Sequence, residues 1–213
     1  MSSLLQLKNV KYTYGPANIA VLNDVNAEFE TGKMYSIMGA SGAGKSTMLS
    51  LLAGLDTPYS GEVLFNGEDI AKTGYCEHRK KHISLVFQNF NLIDYLTPLE
   101  NLRLVNSRAD AQVLVELGLT DEEVNRNVTQ LSGGQQQRVA IGRALVSSAP
   151  VILADEPTGS LDPATTKEVI AILKKASREH GKCVIVVTHD SKVASQADVK
   201  YVLKNKQLTR KSA

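Results

Sequence analysis

The stretch Gly39-Ala40-Ser41-Gly42-Ala43-Gly44-Lys45-Ser46-Thr47 decides the fold. It fits G-x-x-x-x-G-K-[ST], the pattern of a phosphate-binding loop. The apolar run Met34 to Met38 (MYSIM) precedes it, and Met48 to Ala53 (MLSLLA), which reads as a helix, follows. Strand, glycine loop and helix together make the setting that phosphate binding needs. Glycines let the backbone curl so that its N–H groups point at phosphate oxygens. The helix N-terminus adds a partial positive charge. The lysine, Lys45, is suited to reach β- and γ-phosphates, and the Ser46 hydroxyl to ligate Mg²⁺. A chance glycine-rich turn would lack these flanks.

On the N-terminal side, Leu4 to Tyr14 partly alternates apolar and polar residues, as a half-buried strand does, and Gly15-Pro16 is expected to stop it. A second alternating run spans Val21 to Glu30. Gly61 to Phe65 is a third, closed by Asn66-Gly67, a strong hairpin signal. These pieces predict a small antiparallel sheet beside the phosphate-loop core. On the C-terminal side, Ile83 to Phe87, Val151 to Ala154 and Val184 to Val187 are short apolar runs, as expected of buried parallel strands. Helical patterns lie between them. Asn91 to Asn127 contains a helix start at Thr97-Pro98-Leu99-Glu100. It also contains a helix over Ala109 to Leu117, with Gly118 as its cap, and a polar stretch from Asp121. Helices are also predicted over Gln135 to Val146, with Val139, Gly142 and Leu145 on one face, and over Pro163 to Arg178. The tail Val199 to Arg210 reads as two strands around Lys204-Asn205-Lys206. The result is an α/β fold with a mostly parallel sheet.

Composition agrees with that class. The 213 residues suffice for one sizeable α/β domain, and 43% hydrophobic with 22% charged residues is ordinary for a globular protein. A net charge of +2 gives no electrostatic footprint for nucleic acid. Cys76 and Cys183 are far apart and lack CxxC spacing, which argues against a disulfide framework or a zinc site. No apolar run approaches the roughly 20 residues that span a bilayer, and the N-terminal residues lack the apolar core of a signal peptide. The chain itself is therefore expected in the cytoplasm.

Two further stretches carry chemistry. Asp155 and Glu156 end the apolar run Val151 to Ala154, at the strand end where open α/β sheets bind ligands. There Asp155 suits Mg²⁺, and Glu156 suits a water poised to attack a γ-phosphate. On their own the pair would equally suit a helix N-terminus. In Leu131-Ser132-Gly133-Gly134-Gln135, Ser132 can cap the helix that follows, and the glycines expose backbone N–H groups as a second anion site.

That last pentapeptide is the signature of ATP-binding cassette (ABC) ATPases, and the chain resembles one ABC nucleotide-binding subunit from about Leu4 to about Leu208. The resemblance implies a phosphate-loop NTPase core, a small antiparallel β subdomain and a helical signature subdomain at about residues 90–145 of a single domain, 1–213. By the same resemblance, Gln88 matches the glutamine that senses Mg²⁺ and the membrane partner. His189 matches the switch histidine at the γ-phosphate, Tyr14 the aromatic residue stacked on adenine, and Ser160-Leu161-Asp162 the segment crossing a dimer interface. Tyr12, two residues from Tyr14, shares its strand face. The implied assembly is a head-to-tail homodimer. Each ATP lies between Lys45 and Ser46 of one copy and Ser132, Gly133, Gly134 and Gln135 of the other. An integral-membrane permease would hold the pair on the inner face of the membrane.

Ala154 to Asp162, Gln135 to Arg138 and Met38 to Gly42 resemble the macrolide-export, lipoprotein-release and antimicrobial-peptide-resistance ATPases, some of them linked to bacteriocin export. That group also includes a cell-division ATPase that signals across the membrane. The Gln88 to Leu131 region, which meets the permease, is short for the group. Soluble ABC ATPases of DNA repair insert coiled coils, and no sustained heptads occur here. A guanine-reading Asn-Lys-x-Asp run is also missing. The basic residues Lys204, Lys206, Arg210 and Lys211 suit either a solvated tail or lipid head groups.

Overall fold

The structure, a computed structural model, describes residues 3–15 and 19–211. Pro16, the expected strand stop, lies outside them. The chain begins with β1 (Leu5–Tyr14), β2 (Ile19–Phe29) and β3 (Met34–Met38). The phosphate-loop helix α1 (Lys45–Leu52) follows. It starts at Lys45 rather than at Met48, because Gly44 at φ +100° ends the loop one residue earlier. Next come β4 (Ser60–Phe65) and β5 (Glu68–Asp69), joined through Asn66 and Gly67, both at positive φ as a tight hairpin requires.

Two short helices, α2 (Ile70–Thr73) and α3 (Tyr75–His82), escape the sequence pattern. Helix α3 (YCEHRKKH) buries only His78 and has no apolar stripe to read. Strand β6 (Ile83–Val86) leads to a helical region that is more broken than the periodicity suggests: α4 (Pro98–Arg103), α5 (Gln112–Glu116), α6 (Asp121–Val124) and a 3₁₀ turn at Val128–Gln130. Thr97 and Glu100 form the expected capping box on α4. The chain closes with α7 (Gly133–Leu145), β7 (Val151–Asp155), α8 (Pro163–Arg178), β8 (Cys183–Thr188), α9 (Ser191–Ser195), β9 (Val199–Lys204) and β10 (Gln207–Lys211).

Two sheets result. The antiparallel sheet runs β2-β1-β4-β5, and the larger sheet runs β10-β9-β3-β8-β7-β6. Every neighbouring pair in the larger sheet is parallel except β10 with β9, whose hairpin turns through Asn205 and Lys206 at positive φ. Alternation along the central strands splits the core into two layers. Leu153, Ile185 and Val187 pack with α1 and the antiparallel sheet, while Ile152, Val184 and Val186 pack with α7 and α8. Each such fully buried aliphatic contributes about 1.5–3 kcal/mol.

A third cluster joins Leu102, Leu114, Leu119, Val124 and Val128 to Val139 of α7. Gly142 belongs with this cluster, since a Cβ there would lie 3.0 Å from Leu117. Leu145, expected on the same helix face, instead packs against the α8 layer. No helix among the described residues is long and apolar enough to cross a membrane.

Candidate nucleotide site

The sheet register assembles the site. Met38 lies beside Thr188, Asp155 beside Val187, and Val86 beside Ala154. The parallel strands therefore deliver Gly39, Gln88, Asp155, Glu156 and His189 to one edge, the C-terminal end of the sheet. A cavity of about 520 Å³ opens there. Its lining includes Tyr14, the loop residues Ser41, Gly42, Gly44, Lys45, Ser46 and Thr47, and also Gln88, Asp155, Glu156 and His189.

Glycines shape the loop by close approach. A Cβ on Gly39 would lie 2.8 Å from the Leu203 carbonyl oxygen, and one on Gly44 would lie 2.7 Å from Cγ1 of Val21. The Ala43 amide closes the turn by donating to the Ala40 carbonyl at 3.1 Å. Lys45 is nearly buried and folds back over the loop, its Nζ donating to the carbonyls of Gly39 (3.0 Å) and Ala40 (3.2 Å). The same Nζ lies 3.8 Å from Oε1 of Glu156.

Asp155 and Ser46 line the cavity together. Burial holds the Asp155 carboxyl above the usual carboxylate range, opposed by the nearby Ser46 hydroxyl; Glu156 raises it further and Lys45 lowers it. A half-buried carboxylate beside a hydroxyl at a phosphate loop is an all-oxygen donor set. Among the described residues no cluster of three or more His, Cys, Asp or Glu could hold a metal alone. This set fits Mg²⁺, which takes one or two protein oxygens and fills its shell with water and phosphate.

Glu156 sits at φ +46°, a conformation costing a non-glycine residue roughly 1–2 kcal/mol. Its amide donates to the Val187 carbonyl at 2.9 Å, and its Oε1 lies 3.0 Å from Nδ1 of His189. The amide of Gly159 returns to the Glu156 carbonyl at 3.1 Å, and the Gln88 side-chain amide rests against Gly159, where a Cβ would lie 3.0 Å from Nε2. Glu156 and His189 also border a larger cavity of about 760 Å³ between α8 and α9.

Tyr12 and Tyr14 differ despite sharing a strand face. Tyr12 is buried and its hydroxyl donates to Asp56. That bond, together with burial, pushes its pKa up to about 12. Tyr14 is 48% exposed at the cavity rim, its hydroxyl 2.9 Å from Oγ1 of Thr47. The site also uses Val21, an apolar strand residue with no sequence signal for such a role, as the wall against Gly44.

Residues Ser132 to Gln135 do not line this cavity. Ser132 caps α7 in a full capping box. Its amide donates to Oε1 of Gln135 at 2.8 Å, and the Gln135 amide donates to Oγ of Ser132 at 3.3 Å. Gln135 Nε2 donates to Glu123 of α6 at 2.6 Å. Gly134 abuts α8, where a Cβ would lie 2.7 Å from Cγ2 of Thr165.

The fold and the loop define a phosphate-loop nucleotide-binding protein. The model of the family described as "ABC transporter" matches residues 22–159. The ABC transporter ATP-binding protein YclH of Bacillus subtilis is 38% identical over 219 residues, covering 98% of this chain and 97% of that protein. The macrolide export ATP-binding/permease protein MacB 2 of Aeromonas hydrophila is 43% identical over 217 residues, covering 95% of this chain but only 33% of its own length. Among solved structures, the dimeric post-hydrolysis state of the cassette MJ0796 of Methanocaldococcus jannaschii, bound to ADP and Pi, superposes with a TM-score of 0.83. It is 40% identical, with 98% of each chain covered. The chain belongs to the ABC transporter family, of which it is an ATP-binding subunit and an ATPase.

Proposed function

We propose that two copies of this chain pair head to tail, bind two ATP molecules between them, and drive a membrane permease of the export type on the inner face of the membrane. One observation carries the reading. The loop and carboxylates converge in one cavity, while on the same chain Ser132 to Gln135, at the capped N-terminus of α7, do not line it. A second copy supplies the missing half. The dimeric MJ0796 cassette supports the pairing, and MacB 2, which joins ATP-binding and permease parts by name, supports the membrane partner and export.

In this reading Tyr14 stacks on adenine. The backbone from Gly39 to Gly44 cradles the phosphates, with Thr47 at the rim. Lys45 leaves the Gly39 and Ala40 carbonyls to neutralise the β- and γ-phosphates. Ser46, Asp155 and Gln88 hold Mg²⁺, which screens phosphate charge. Glu156 takes a proton from the attacking water, and His189 orients the γ-phosphate and Glu156 together. Ser132, Gly133, Gly134 and Gln135 present the α7 N-terminus to the partner copy's γ-phosphate. The cargo class is peptide, lipid or drug. No nucleic acid enters the cycle, and the domain spans the chain with its helical subdomain at about residues 90–145.

The experiment is affinity purification of the chain from detergent-solubilised native membranes, with the co-purifying proteins identified. A polytopic permease is the expected partner. Recovery only from the soluble fraction, with DNA-processing proteins, would overturn the transporter part of the proposal.

A further inference from the structure

Arg143 of α7 reaches across to the segment that follows β6. Its Nη1 donates to the Asn91 carbonyl at 2.6 Å and its Nη2 to the Phe90 carbonyl at 3.3 Å. Among the described residues no carboxylate pairs with this half-buried guanidinium, and burial alone pushes its pKa down. A charge placed against two neutral carbonyls is weakly compensated, so the arrangement makes sense for what it holds. What it holds is a strained turn. Phe90 and Asn91 are consecutive non-glycine residues at φ +58° and +48°, the left-handed region that disfavours ordinary side chains. The planar two-armed donor holds both carbonyls in one fixed fork geometry, which a lysine's rotatable ammonium does not impose. Asn101 of α4 pins the same segment further on, accepting from the Ile93 amide at 2.8 Å.

The turn has a neighbour on each side. Two residues before it is Gln88, which lines the nucleotide cavity. The Phe90 ring itself lies over the start of α7, its Cζ 3.7 Å from where a Cβ on Gly133 would stand. One helix thus carries both the anchor, Arg143, and the surface that Phe90 covers.

We infer that Arg143 is a positioning residue for ATP hydrolysis: by holding the Phe90–Asn91 turn it sets the place of Gln88 in the cavity and of the Phe90 ring over Gly133. The inference rests on the proposed role of Gln88.

The test is steady-state ATPase kinetics of the full chain carrying Gln88→Ala, Arg143→Gln, the double variant, and Arg143→Gln with Asn91→Gly. Gln88→Ala is expected to lower kcat about tenfold. Arg143→Gln is expected to do the same with KM for ATP changed less than about twofold, and the double variant to fall no further. Glycine occupies positive φ without strain, so Asn91→Gly is expected to recover at least about threefold of the loss in Arg143→Gln. A wild-type rate in Gln88→Ala overturns the reading of Gln88. Impairment in Gln88→Ala that multiplies with Arg143→Gln, or no recovery from Asn91→Gly, overturns the inference about Arg143. Should Arg143→Gln not fold, Arg143→Lys takes its place, with the same non-additivity and recovery expected.

Discussion

Nδ1 of His189 lies 3.0 Å from Oε1 of Glu156, and the His189 amide donates to Oε2 of the same carboxylate at 3.4 Å. Both carboxylate oxygens are thus engaged by one residue, which fixes the direction of the carboxylate although it stands on a strained backbone. As the proposed base, a carboxylate held this way needs no reorganisation to accept a proton. Replacing it by an isosteric amide keeps an acceptor for His189 and removes the basicity. Glu156→Gln is expected to lower ATP turnover by about 10²–10⁴-fold. The variant should accumulate as an ATP-bound dimer, read as a shift in size-exclusion elution with ATP and Mg²⁺. A monomer under those conditions would contradict the proposed closed pair or require the permease for it.

Lys45 has two sets of partners, the carbonyls of its own loop and the Glu156 carboxylate. In the proposed cycle the phosphates of ATP compete for the same ammonium. Lys45→Ala is expected to abolish ATP turnover. It also removes two hydrogen bonds that Lys45 makes to the loop, each contributing about 1 kcal/mol. The melting temperature without nucleotide should therefore fall by several degrees, and ATP should restore little of it, as a thermal-shift titration would show.

Gly42 and Gly44 both have positive φ, +75° and +100°, but only Gly44 is crowded. A methyl group on Gly42 meets open space, and one on Gly44 meets Val21. Gly42→Ala is expected to cost only the conformational penalty, about 1–2 kcal/mol. Gly44→Ala must also displace α1 or β2. Its melting temperature should fall further, and its ATP affinity should drop at least about tenfold. Equal effects from the two substitutions would mean that Val21 is not a wall of the site.

His78 is fully buried, with Nε2 3.0 Å from the Leu52 carbonyl and Nδ1 3.2 Å from Nδ1 of His82, on which Phe65 stacks. A carbonyl only accepts, so Nε2 carries the hydrogen and Nδ1 of neutral His78 accepts from His82. Protonating His78 would set two N–H groups against each other. Burial pushes both imidazoles below the usual histidine range; His82 and Arg79 lower His78 further, while its Leu52 bond opposes the shift. The unfolded chain therefore binds more protons below about pH 6.5, and the stabilisation present above that value is lost as pH falls. The melting temperature should drop between pH 7.5 and 5.5. His78→Gln should melt lower at pH 7.5 but with a shallower fall.

The order of elements was readable because the decisive strands are short apolar runs at regular spacing, and because Asn66-Gly67 and Thr97-Pro98-Leu99-Glu100 carry their geometry in their residue types. Helix α3 was not, since its buried face is a histidine held by a backbone carbonyl rather than an apolar stripe. Helix α9 is a single capped turn after Asp190, too short for periodicity to register. At the site, motifs named the loop and the carboxylates, and the parallel register explains why Gln88 and His189, distant in sequence, reach the same cavity. Val21 and Arg143 were illegible because a strand valine and a helix arginine acquire their meaning only from what the fold sets opposite them.

Ser132 separates helix stability from assembly. Its hydroxyl accepts from the Gln135 amide, and Gln135 in turn ties α7 to Glu123. Ser132→Ala removes the cap and is expected to cost about 1 kcal/mol, a fall of roughly 2–4 °C in melting temperature. Ser132→Asp keeps an N-cap acceptor and should melt close to the original chain. The proposed dimer places this same residue against a γ-phosphate, where a carboxylate is repelled. Ser132→Asp should therefore lose ATP-dependent dimerisation and turnover almost completely while staying folded, and Ser132→Ala should lose far less. Light scattering of each variant with ATP in a Glu156→Gln background reads the difference. Were Ser132→Asp to dimerise as well as Ser132→Ala, the α7 N-terminus would not face the partner's phosphate.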